Sequence, residues 1–160
     1  MTIKNIPGFE KGWISSLDIT FDGNYLFVVM KDQFLIQFDV KRKKKIKDYG
    51  KVCDEMVRKI AITLDNKYLF VGCSGCLKQF DMKQQKLIKT YEIGVIKSFY
   101  DTLAITDDSR YLLIKNDHTL KQLDIRKSKF IKNYKFDGHL STISVTCDSR
   151  YCYTLDRKGN

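Results

Sequence analysis

Apolar residues recur at every second position in several short stretches of this chain. That is the period of a strand buried on one face, not the 3.6-residue period of a helix. Leu17, Ile19 and Phe21 alternate with Ser16, Asp18 and Thr20, and Ile60, Ile62 and Leu64 alternate with Lys59, Ala61 and Thr63. Each stretch predicts a first strand with its apolar side turned inward. A polar step such as Asp22-Gly23-Asn24 follows, made of residues that tolerate left-handed backbone and close their own turns. The chain then turns apolar at consecutive positions, Tyr25 to Met30 and Tyr68 to Val71, as a strand covered on both faces does. A second polar turn comes next: Lys31-Asp32, Ser74-Gly75 or Asn116-Asp117. A third strand, Phe34 to Val40, leads through a Lys-rich turn into a fourth, at Lys45 to Tyr49, Leu87 to Tyr91 or Phe130 to Tyr134. The fourth strand is the most polar, which suits an outer edge. No segment has a helical pattern.

These four-strand units repeat. The block from Ile19 to Phe27 returns at Ile62 to Phe70, at Ile105 to Leu113 and at Val145 to Tyr153, after steps of 43, 43 and 40 residues. Each copy carries its turn aspartate, Asp22, Asp65, Asp108 or Asp148. A second block keeps the same phase: Leu35-Ile36-Gln37-Phe38-Asp39, Leu77-Lys78-Gln79-Phe80-Asp81 and Leu120-Lys121-Gln122-Leu123-Asp124. Four short strands per repeat at this period predict β-propeller blades, which bury their faces on one another and do not stand alone. The expected organisation is all-β, with about three and a half antiparallel blades in an incomplete ring. Residues 12–54, 55–97 and 98–137 form three blades, and 138–160 the first half of a fourth. Residues 1–11 hold an outer strand of a preceding or closing blade, because Thr2-Ile3-Lys4-Asn5-Ile6 is similar to Phe130-Ile131-Lys132-Asn133-Tyr134. The chain therefore reads as a fragment of a longer propeller, as half of a ring completed by a second chain, or as a small irregular ring.

On these residues the chain resembles the WD-repeat propeller family over nearly its whole length. The family's Trp-Asp position is occupied by Phe38-Asp39, Phe80-Asp81 and Leu123-Asp124. Asp32 and Asp117 stand where the family places an aspartate before the third strand, and Ser74 replaces it in the second repeat. No repeat has the family's full Asp-His-Ser-Trp set: Gly138-His139 lies too close to Leu140, and counting back from Ile14 and Val57 to the Gly-His position reaches Glu10 and Cys53. The YVTN-type propeller is the second resemblance, through Asp22-Gly23-Asn24-Tyr25-Leu26-Phe27-Val28. The WD likeness implies a non-catalytic protein–protein interaction scaffold. The YVTN likeness implies an enzyme or ligand sensor with a site in the central channel, lined here by Ser16, Asp18, Thr20, Thr63, Thr106 and Thr146.

Charge adds a third possibility. The 160 residues hold 29 Lys and Arg against 19 Asp and Glu, a net charge of +10. Lys41, Arg42, Lys43, Lys44 and Lys45, then Lys83 and Lys86, then Arg126, Lys127 and Lys129 all fall between third and fourth strands. Equivalent turns share one face of a propeller, so these residues predict a basic arc for an acidic partner. An acidic protein surface is the expected partner, with nucleic acid or an anionic surface as the alternative. The bland alternative is a set of solvated hairpin turns that aids solubility. The turn aspartates share that face and offset part of the charge.

Nothing else points to chemistry. His118 and His139 sit in loops of different repeats without a recognisable triad. Each Asp turn offers one carboxylate, too few for calcium, and no cofactor or metal is expected. Cys53, Cys73, Cys76, Cys147 and Cys152 are odd in number. With no apolar leader at Met1 to Phe9, they read as free thiols in a cytoplasmic or nuclear chain. Cys73-Ser-Gly-Cys76 has CxxC spacing but lacks the further ligands of a zinc site.

Overall fold

The structure, a computed structural model, describes residues 13–94, 103–116 and 118–156. The expected outer strand in residues 1–11, Glu10 and Asp117 lie outside the described residues. Within them the chain is all-β. The first sheet runs β1 (Ile14–Ile19), β2 (Tyr25–Met30), β3 (Phe34–Asp39) and β4 (Lys44–Lys51). The second runs β5 (Val57–Ile62), β6 (Tyr68–Cys73), β7 (Cys76–Asp81) and β8 (Lys86–Glu92). The third runs β9 (Leu103–Ile105), β10 (Tyr111–Asn116), β11 (Thr119–Asp124) and β12 (Lys129–Lys135), and β13 (Leu140–Val145) pairs with β14 (Cys152–Asp156). Strands in each sheet follow chain order and pair antiparallel, so these are blades of an incomplete propeller.

The register repeats with the sequence. Asp39 faces Tyr25, Asp81 faces Tyr68 and Asp124 faces Tyr111 across the second hairpin. A bulge separates Gln37 from Phe38, Gln79 from Phe80 and Gln122 from Leu123 against the fourth strand. Bulges add local twist and re-aim side chains, and one at the same place in each blade keeps the blades alike.

The core lies between blades. Phe27, Val29 and Leu35 pack on Ile60, Ile62, Leu69 and Val71. Ala61, Phe70 and Leu77 pack on Leu103, Leu112 and Ile114. Leu113 and Leu120 pack on Leu140 and Ile143. The second junction is close at Gly72: a Cβ there would lie 3.3 Å from the Lys59 carbonyl oxygen and 3.4 Å from Leu103 Cδ1.

Two expectations are corrected. Leu17, Ile19 and Phe21 face outward while Ser16 and Thr20 are buried, although their repeat equivalents Ile60 and Ile62 are covered. The blade before covers this face in later repeats, and no described blade precedes β1. The cysteines are also not all free: Cys53 is bonded to Cys73 with a Cα–Cα distance of 6.5 Å, leaving Cys76, Cys147 and Cys152 as thiols. Cys73 ends β6 on the side that packs against the first blade, where Cys53 lies in the same apolar cluster.

Candidate interaction surface

The basic turns are built by the aspartate that ends each third strand. Asp39 Oδ1 accepts from the Arg42 amide at 2.8 Å, Asp81 Oδ1 from the Gln84 amide at 2.7 Å, and Asp124 Oδ1 from the Lys127 amide at 2.9 Å. The last residue of each turn takes positive φ: Lys43 at 52°, Gln85 at 53° and Ser128 at 50°. The amide bond from Arg42 is the main reason that the Asp39 carboxyl sits below its ordinary range. A side-chain bond from Arg42 Nη1 at 2.9 Å assists. Asp39 and Asp124 are buried, as are Phe38, Phe80 and Leu123 before each aspartate. The motif therefore anchors the turn from below and leaves its cations outside.

All ten predicted arc residues, Lys41 to Lys45, Lys83, Lys86, Arg126, Lys127 and Lys129, are exposed. The three turns are linked along the rim. Lys47 Nζ on β4 donates to the Gln85 carbonyl at 2.8 Å, and Lys89 Nζ on β8 donates to the Ser128 carbonyl at 2.7 Å. The first-to-second strand turns lie beside them: Val40 N donates to Asn24 O, Met82 N to Lys67 O and Ile125 N to Arg110 O.

Those neighbouring turns hold Asp22, Asp65, Asp108 and Asp148 as turn formers. Thr20 Oγ1 donates to Asp22 at 2.6 Å, Thr106 Oγ1 to Asp108 at 2.5 Å and Thr146 Oγ1 to Asp148 at 2.5 Å, while Lys67 N donates to Asp65 at 3.1 Å. The threonine hydroxyl is the main cause that lowers the Asp22 and Asp148 carboxyls from their ordinary range. Asp32 is exposed and makes a long contact, accepting from Phe34 N at 3.5 Å.

The inner-strand polar groups are occupied by the fold. Ser16 Oγ accepts from Ile60 N at 3.1 Å and Asp18 Oδ2 from Ile62 N at 2.8 Å. Burial raises the Asp18 carboxyl, partly offset by the amide bonds from Ile62 and Ile19. Thr63 Oγ1 donates to the Tyr68 carbonyl at 3.3 Å, and the Thr20, Thr63, Thr106 and Thr146 hydroxyl oxygens each accept from the amide of the tyrosine five residues on. The two histidines, distant in sequence, meet between blades three and four with ring centroids 4.0 Å apart. Among the described residues no three His, Cys, Asp or Glu side chains are grouped to hold a metal.

One repeated pair escaped the sequence reading. Tyr49 donates to Gln37 Oε1 at 3.1 Å, Tyr91 to Gln79 at 2.6 Å and Tyr134 to Gln122 at 3.4 Å. It ties each fourth strand to its third. The signal was present: glutamine and tyrosine twelve residues apart in three successive repeats.

No family model matches the sequence, and no curated protein does. Solved structures match by shape. A crystal structure of the RRP9 WD40 repeats has a TM-score of 0.77 at 17% identity, covering 94% of this chain and 47% of that one. A structure of U3-55K has a TM-score of 0.75 at 17% identity, covering 94% and 47%. A Kuenenia stuttgartiensis hydrazine synthase chain has a TM-score of 0.73 at 20% identity, covering 89% and 43%. The chain thus spans about half the length of the structures it matches. At this identity the likeness shows the fold, that of a WD40-type propeller. The fold also occurs in an enzyme structure, so function must be argued from the surface.

Proposed function

We propose that this chain is a non-catalytic protein–protein interaction scaffold of WD-repeat type, and that the rim of β3–β4, β7–β8 and β11–β12 turns receives an acidic surface of a partner protein. The observation that carries the reading is the linked set of Asp-anchored turns, which holds ten exposed cations in order along one rim. Anchored turns with exposed cationic side chains give a broad positive field rather than a shaped pocket. Such a field steers and orients an acidic surface. The interior supports the same reading, since the hydroxyls and Asp18 of the inner strands are spent on strand and blade contacts.

Fluorescence anisotropy with three probes tests it: an acidic Glu/Asp-rich peptide, a DNA duplex and phosphatidylserine vesicles. The peptide is expected to bind, and the variant Lys43→Glu, Lys44→Glu, Lys83→Glu, Lys127→Glu to lose at least tenfold in affinity. Tight duplex binding with a steep salt slope and no peptide binding would assign the arc to nucleic acid instead. Binding to the vesicles alone would assign it to an anionic lipid surface.

A further inference from the structure

Three cysteines meet where the first blade packs on the second, at the opposite end of the strands from the basic turns. Cys53 and Cys73 are buried in one apolar cluster, and the half-buried Cys76 packs against it. All three line a cavity of about 410 Å³, together with Lys78, Glu55 and Glu92.

The hairpin between β6 and β7 sets two of them face to face. Cys73 ends β6, Cys76 opens β7, and Ser74-Gly75 is the whole turn between them. Gly75 has a φ of 111°, the positive value that a two-residue turn draws from glycine. Gly72 pairs with Leu77, so the next pair toward the turn is Cys73 and Cys76. Opposed residues of an antiparallel pair share a face and have Cα atoms about 4.5–5.5 Å apart. That lies within the roughly 4.4–6.8 Å that disulfides span, as does the 6.5 Å between Cys53 and Cys73. The shared face is turned to the first blade: two positions beyond Cys76, Lys78 Nζ donates to Val52 O at 2.6 Å. Cys73 therefore has two partners within reach, one across the blade junction and one across its own hairpin. Contacts on both sides of Cys53 keep it beside them, since Lys78 holds Val52 and Ser74 N donates to Met56 O at 3.2 Å.

We propose that this corner is a thiol–disulfide exchange site, in which Cys76 takes Cys73 from Cys53. The Cys76 thiolate attacks Cys73 Sγ. The Cys73–Cys76 bond forms as the Cys53–Cys73 bond breaks, and Cys53 leaves as a thiolate that takes up the proton Cys76 gave to solvent. One disulfide and one thiol stand on each side of the step, so it consumes no oxidant or reductant. The first bond pins the β4–β5 connection to β6, whereas the second lies within the hairpin, so exchange releases that connection. Burial holds the Cys76 thiol above its ordinary value; Lys78 acts against this, and Glu92 and Glu55 add to it. Asp54 also lines the cavity. The Cys53–Cys73 bond is therefore the resting form at neutral pH, and exchange speeds as rising pH makes the thiolate.

Peptide mapping of disulfides in the full chain tests this. Cys147→Ser and Cys152→Ser are introduced first, so that only the three sulfurs of the site remain. Samples held at pH 7 or pH 9 are quenched in acid, alkylated and digested. The expected result is a Cys73–Cys76 peptide with alkylated Cys53, appearing at least tenfold faster at pH 9, at a rate independent of chain concentration. Adding Cys76→Ser should leave the Cys53–Cys73 bond alone at both pH values. Adding Cys53→Ser instead should let Cys73 and Cys76 close on each other in a glutathione buffer, with unchanged circular dichroism. A parent chain that keeps only the Cys53–Cys73 bond at pH 9, a Cys53–Cys76 bond in its place, or a folded Cys53→Ser chain that leaves both thiols reduced would overturn the proposal.

Discussion

Tyr49, Tyr91 and Tyr134 show how one residue type is read differently along the arc. The first two lie under the next blade, where Tyr49 meets Phe80 edge-on at 5.9 Å and Tyr91 meets Phe130 at 5.8 Å. Tyr134 instead stays exposed beside a cleft of about 520 Å³ between the third blade and β14. Gln79 and Tyr91 are both buried, so removing one partner strands the other. Gln79→Leu is expected to cost about 1–3 kcal/mol in urea unfolding, and adding Tyr91→Phe to recover much of it. Burial pushes the Tyr49 phenol up to about 12 from its ordinary value of 10.0. Its folded pKa is raised, so its contribution is intact below about pH 10 and is lost as pH rises through about 12. Melting temperatures followed from pH 9 to 12 should therefore fall, and fall less in Tyr49→Phe. The turn carboxyls carry the opposite sign: Asp22 and Asp148 are lowered, so their contribution is present above the ordinary carboxylate range and is lost on acidification.

At the scale of the element, the strands were legible because each lies within one repeat and its pattern is local. The consecutive apolar run Tyr25 to Met30 became β2, and the polar fourth strands became β4, β8 and β12. Turn chemistry was legible for the same reason. Burial of β1 was not, because the pattern of Leu17 and Ile19 equals that of Ile60 and Ile62 and only the presence of a neighbouring blade distinguishes them. The bonds that join blades were hidden too, since their partners lie about one repeat apart, as Asp18 and Ile62 do. The Cys53–Cys73 bond is of this kind: it crosses from the β4–β5 connection to the end of β6, and CxxC spacing drew attention to Cys76 instead. Closing a loop with a sequence separation of 20 residues stabilises by about 3 kcal/mol in the chain-entropy view. Thiol titration of the denatured, unreduced chain is expected to find Cys76, Cys147 and Cys152 only, and reduction to lower the urea midpoint. Five free thiols, or a midpoint indifferent to reductant, would contradict the pairing.

The whole molecule follows from one constraint: a blade has two faces and must cover both. Three inter-blade clusters do so, and among the described residues the same sequence pattern leaves apolar side chains exposed on β1 and beside β14. Charge is arranged on a different part of the surface, along the rim of basic turns. Oxidative footprinting of side chains reads this arrangement directly, at a concentration where light scattering shows a single chain. The account predicts that Phe21, Tyr151 and Tyr153 oxidise readily while Phe27 and Phe70 stay protected. Equal reactivity of Phe27, Phe70 and Tyr153, or protection of Tyr153 in the single chain, would contradict it.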